Sequence, residues 1–181
     1  SIVQLSFAQD FEAKWIWKQQ ADRTPYNQTI VARKSVVLDA FDEGIIHITA
    51  DSYYRLFIND TWIADGPCRS YAAHYRYDDI DVTRFLKEGT NEIKIISNFF
   101  GVGVFTRQVT EAGLLAQLDV KKDHQLVKTV GTDATWEVAE LKAWKSNTPK
   151  ISLNMGPYEN YDAQLAGTLD YSKAQEVYEA E

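Results

Sequence analysis

Residues 45–63 read IIHITADSYYRLFINDTWI, and this stretch decides the fold class. Ile45–Ala50 and Tyr53–Ile58 are short runs rich in β-branched and aromatic residues, which is the composition of strands. The polar pair Asn59-Asp60, flanked by Ile58 and by Trp62-Ile63, predicts a two-residue hairpin turn, although the usual glycine is missing. The same signals recur in both directions. Upstream, Thr29–Leu38 (TIVARKSVVL) predicts a strand. Downstream, Ile80 and Val82 alternate with Asp79, Asp81 and Thr83 as in a half-buried strand. Asn91–Asn98, Leu114–Val120, Gln125–Val130 and Trp136–Val138 extend the series. Thr83 is positioned to cap a short helical turn ending at Gly89. Ala174–Ala180 is the other segment with a helical pattern.

Many short strands separated by turn signals predict an all-β, jelly-roll β-sandwich. The 181 residues divide into a lead-in at 1–28, a sandwich core at 29–145, and an extension or linker at 146–181 running toward a further domain. Lacking an initiating Met and a signal segment at Ser1, the chain reads as a piece of a longer protein.

Composition narrows the function. A formal charge of −7 argues against a nucleic-acid partner, which calls for a basic face, and gives no attraction to anionic membranes. No apolar run approaches the roughly 20 residues needed to span a bilayer. Aromatic residues make up 13% of the chain, which suits a rigid strand core and also suits stacking against sugar rings.

Catalytic signatures are absent: there is no nucleophile elbow, phosphate-cradling loop or H-E-x-x-H zinc motif. His47, His74 and His124 are scattered, and Cys68 is the single cysteine. The acidic group Asp78, Asp79 and Asp81 has two readings. In the structural one, alternate carboxylates face solvent while Ile80 and Val82 enter the core and Asp81 holds the turn before Thr83; in the catalytic one, the group supplies part of a carboxylate pair. Asp51, at a strand end beside Tyr53, has two readings. It is a ligand for a sugar hydroxyl or a hard cation such as calcium, or a turn former bonding its own backbone. Trp62, Tyr71, Tyr75 and Tyr77 surround the Gly66-Pro67 loop and fit either a stacking platform for a pyranose or the rim of the core. Phe99, Phe100 and Phe105 carry the same two readings.

Several strings occur in one order. Trp15-Ile16-Trp17, Arg33-Lys34, Ile48–Asp51 with Tyr53, Arg55, Leu56 and Asn59, then Asp65-Gly66-Pro67 come first. Tyr77–Thr83 with Leu86, Gly89 and Asn91, Thr132–Trp136 and Tyr158–Ala163 follow. Together they resemble the N-terminal jelly-roll domain of bacterial α-L-rhamnosidases of glycoside hydrolase family 78. The resemblance implies a parent enzyme whose catalytic (α/α)₆ barrel lies outside this chain, so no catalytic residue is carried over. It implies an accessory domain binding L-rhamnose-containing glycans, or a scaffold packed on the remaining domains. It places Asp51 at the calcium and sugar ligand position of related modules, with Ser52 where an acid or amide is common. Asp51, Tyr53, Trp62, Tyr71 and Tyr75 are the expected binding residues. An extracellular or periplasmic location follows from the parent family.

Overall fold

The computed structural model describes residues 11–68, 75–105 and 107–177. Strands β1 (Ile16–Trp17), β3 (Glu43–Asp51), β6 (Asp78–Asp81), β8 (Gly113–Lys122), β9 (Gln125–Gly131) and β12 (Gln175–Glu176) form one sheet. Its order is β12-β1-β8-β3-β6, with β9 also paired to β8. The second sheet runs β11-β10-β2-β7-β4-β5. Its members are β2 (Gln28–Leu38), β4 (Tyr53–Ile58), β5 (Thr61–Gly66), β7 (Gly89–Phe99), β10 (Glu137–Glu140) and β11 (Ser172–Lys173). The pairings are antiparallel, and the longest joins β2 to β7 in unbroken register from Gln28↔Phe99 to Leu38↔Gly89.

Alternation along the strands builds the core. Ile30, Ala32, Leu56, Ile93 and Ile95 point inward from one sheet, and Ile46, Ile48, Leu114 and Leu118 from the other. Burying a side chain of this size contributes about 1.5–3 kcal/mol. Trp17 and Trp136 are each 1% exposed, and their indole nitrogens donate to Gln28 Oε1 and to the Gly131 carbonyl at 2.8 and 2.9 Å. The large rings therefore enter the core without leaving a polar atom unpaired.

The recurrent strings have structural explanations. In the segment 81–91, the Asp81 carboxylate accepts from the Thr83 N–H at 2.9 Å, as expected. Val82 packs in the core, while Gly89 adopts φ 88°, a conformation that disfavours a side chain. Asn91 is fully buried. It accepts from Lys87 N and donates to the Lys87 and Gly89 carbonyls.

Two local expectations are corrected. Thr83 is not a cap. It is the first residue of a 3-10 turn, Thr83–Phe85, and its hydroxyl instead accepts from Gly44 N on β3 at 2.9 Å. The segment beginning at Ala174 is not helical: Gln175–Glu176 pairs with β1, and residues 178–180 lie outside the described residues.

Segments on both sides of the expected core are stitched into the sandwich. The expected lead-in supplies β1, and the expected extension supplies β11 to one sheet and β12 to the other. The chain crosses between them at buried Ala174. Residues 143–162 form an irregular hairpin, held by Lys145 N to Asn160 O, Tyr158 N to Pro149 O and Ile151 N to Gly156 O. Anchors from the sandwich fix it over one end of the second sheet: Tyr26 Oη to Thr148 O (2.8 Å), Asn27 Nδ2 to Thr148 Oγ1 (2.9 Å) and Lys150 Nζ to Gly103 O (2.6 Å).

Candidate functional site

Asp51 ends β3 in one sheet, and two residues later Tyr53 begins β4 in the other, so Asp51 and Ser52 form the corner where the chain changes sheets. The Asp51 side chain is 7% exposed and holds this corner together. Its Oδ1 accepts from Ser52 Oγ at 3.1 Å, and its Oδ2 from Tyr75 Oη at 3.0 Å and from the Thr110 hydroxyl. These partners are hydroxyls, not the Asp's own backbone as the turn-forming reading expected. Burial, followed by the nearby Asp51 charge among the raising influences, pushes the Tyr75 hydroxyl up to about 12 despite an opposing bond with Thr110. Arg107 donates to the Ser52 and Pro67 carbonyls, tying the corner to the neighbouring loop.

The donor set that the described residues supply does not fit calcium. A calcium ion takes six to eight oxygens, generally with more than one carboxylate. Here, among the described residues, one carboxylate meets three hydroxyls that it already engages. Among the described residues, no group of three or more His, Cys, Asp or Glu side chains is placed to hold a metal.

Tyr53 points the other way. Along β4, Tyr54, Leu56 and Ile58 are buried, whereas Tyr53, Arg55 and Phe57 lie on the outer face. Register places Asn98 beside Tyr53, Ile96 beside Arg55, and Trp62 beside Phe57. The hairpin 143–162 covers one end of this face and encloses a cleft of about 410 Å³. Its floor is Thr29, Tyr53, Arg55, Ile96 and Asn98, and its far wall includes Trp144, Met155, Pro157, Tyr158 and Glu159.

Polar groups meet in this cleft. Arg55 lies 4.0 Å from Glu159 and 3.7 Å from Asp65, while Tyr53 Oη donates to Glu159 Oε1 at 3.4 Å. Burial, then the Glu159 charge, raises the Tyr53 hydroxyl above its ordinary range. Asn98 Nδ2 is occupied with Thr29 Oγ1 (2.9 Å) and Asn27 Oδ1 (3.2 Å), so it braces the floor. Trp144 meets Tyr161 edge to face at 4.5 Å. Lys145 pairs with Asp162 at 3.1 Å, and that bond, with a second from Gln164 N–H, holds the Asp162 carboxyl below its ordinary range.

The five expected binding residues therefore separate. Tyr53 and Trp62 share the outer face of one sheet, with Trp62 farther along it and bonded to Asp65 at 3.1 Å. Asp51 and Tyr75 belong to the corner, where Tyr75 also packs on Trp15 at 4.9 Å. Tyr71 lies outside the described residues. Tyr77 packs edge to face on His47 and Phe11. Of the acidic cluster, Asp78 turns inward to accept from Tyr54 Oη at 2.6 Å. Asp79 bonds His47 Nδ1, whose other ring nitrogen lies 3.5 Å from Asp119. Sequence reading missed Arg55, Trp144, Tyr158 and Glu159 as cleft residues. The available signal was the aromatic, polar tail string Tyr158–Ala163, which has no place in a core.

The α-L-rhamnosidase N-terminal domain profile matches residues 40–176. No curated protein matches the chain. Among solved structures, the chain is similar to the family 78 rhamnosidase of Bacillus sp. GL1, with TM-score 0.84 and 28% identity over 94% of this chain and 19% of that one. It is also similar to the α-L-rhamnosidase from Aspergillus terreus, with TM-score 0.71 and 22% identity over 93% and 21%. A Pleurotus ostreatus lectin solved with GalNAc has TM-score 0.56 and 18% identity over 90% and 43%. The last two are likenesses of fold. The chain spans about a fifth of the length of the two rhamnosidases.

Proposed function

The chain belongs to the α-L-rhamnosidase N-terminal domain family, and from that membership we propose that it is a non-catalytic, glycan-binding accessory domain of a larger enzyme. The parent enzyme removes terminal L-rhamnose from glycosides, and this domain holds the glycan near the catalytic barrel. The observation carrying this reading is the outer face of the β2-β7-β4-β5 sheet, where aromatic rings and polar side chains are exposed together. That combination suits a sugar, whose C–H face packs on rings while its hydroxyls take hydrogen bonds. The lectin solved with GalNAc illustrates sugar recognition on a related fold.

Calorimetric titration of the purified chain with methyl α-L-rhamnopyranoside and with rhamnosylated oligosaccharides tests the reading. Saturable binding in the millimolar range or tighter is expected; no heat with any of them sinks it.

A scaffold role has its own support. Phe105 (85% exposed) and Leu153 (78%) are joined by a backbone bond of 2.7 Å, with Met155 (53%) on the same hairpin. Such a patch suits packing against another domain. Hydrogen exchange at residues 150–156, slower in the whole enzyme than in this chain alone, is the expected result. Equal rates in both would refute the contact.

A further inference from the structure

Resting on the glycan-binding reading, we propose that the ligand site is the cleft under the hairpin 143–162 and that its occupant is the uncharged end of a glycan. Size is the first argument. About 410 Å³ lies within the range of roughly 300–1,000 Å³ typical of small-ligand pockets, which suits a terminal sugar and not a long polymer tract.

Charge is the second. Arg55 and Glu159 face each other at 4.0 Å, and Arg55 lies 3.7 Å from Asp65, so each separation exceeds hydrogen-bond reach. Glu159 is 62% exposed and receives one long bond from Tyr53. A guanidinium and a carboxylate this close present donors and acceptors side by side with little net charge. An anion would gain from Arg55 and be repelled by Glu159, and a cation the reverse. A sugar hydroxyl accepts from Arg55 and donates to Glu159 at once.

The lining is the third. Ile96 on the floor and Trp144 and Tyr158 on the wall offer apolar surface to ring C–H groups, and Tyr158 is 51% exposed. The buried Asp51 corner offers none of this, because its oxygens are already engaged. The carboxylate that meets ligand is therefore Glu159.

The test uses the chain with Tyr158→Ala and Glu159→Gln, both at exposed positions, and Leu126→Ala on the other sheet as control. Methyl α-L-rhamnopyranoside and N-acetylgalactosamine are the probes, read by calorimetry and tryptophan fluorescence, with thermal denaturation confirming that each variant is folded. Either cleft variant should weaken binding of whichever probe the wild type takes by about tenfold or more, with the control unchanged. Wild-type binding retained within about twofold in both cleft variants would overturn the cleft assignment and leave the glycan-binding reading standing. Absence of binding by the wild type would overturn that reading, and the inference with it.

Discussion

Asp51 shows what a residue-scale reading reaches and where it stops. Its place at a strand end before Tyr53 is legible in the sequence, and the structure puts it there. Its role is not legible, because the partners that define it, Tyr75 and Thr110, stand 24 and 59 positions away. Nothing local announces them. An exposed acid at a loop and a buried acid bracing a corner have the same neighbours in sequence. The structural role carries its own prediction. Asp51→Asn replaces one acceptor oxygen with an amide donor, so one or more of the three hydroxyls loses its partner in a buried setting. The loss should be about 1–3 kcal/mol of stability, measured by urea denaturation. An unchanged midpoint would mean that the corner does not depend on the carboxylate.

At the scale of elements, the strands were legible because half-buried strands write their environment into their own alternation. The run 29–38 appears as Gln28–Leu38, and 53–58 appears without a shift. The hairpin 143–162 was not legible, since its form comes from the sheet beneath it and not from a period of its own. The short strands β11 and β12 escaped for the same reason: two residues carry no pattern. Turns fall between these cases. Asn59-Asp60 adopts φ 49° and 61°, the left-handed pair of a type I′ hairpin, as the flanking apolar runs implied. Asp123-His124 does the same between β8 and β9, with φ 50° and 63°, although neither residue is glycine. Left-handed backbone at His124 costs about 1 kcal/mol relative to glycine, partly offset by glycine's freedom in the unfolded chain. His124→Gly should therefore stabilise the fold by about 0.5 kcal/mol, seen as a higher denaturation midpoint with an unchanged slope. A lower midpoint would show that the imidazole contributes more than the turn costs.

For the whole molecule, the sandwich class was legible from strand count and turn spacing, while its closure was not, because β1, β11 and β12 reach in from outside the expected core to complete the sheets. Closure also determines how the fold responds to pH. Three tyrosines have hydroxyls raised above 10.0, and burial is the leading cause in each: Tyr54 in the core, Tyr75 at the corner and Tyr53 under the hairpin 143–162. In the unfolded chain these phenols lose their protons near pH 10, while in the folded chain they keep them, Tyr75 to about 12. The folded state then binds more protons than the unfolded state across that window, so stability falls as pH rises through it. The stabilisation is fully present below pH 10. Urea denaturation at steps from pH 8 to 12 should show this decline. Tyr75→Phe isolates the contribution of this one phenol. The variant lacks the bond to Asp51 and starts less stable at pH 8, yet it has no phenol to ionise. Its gap from the wild type should narrow between pH 10 and 12. A constant gap across that range would mean that the Tyr75 proton is not held by the closed sandwich.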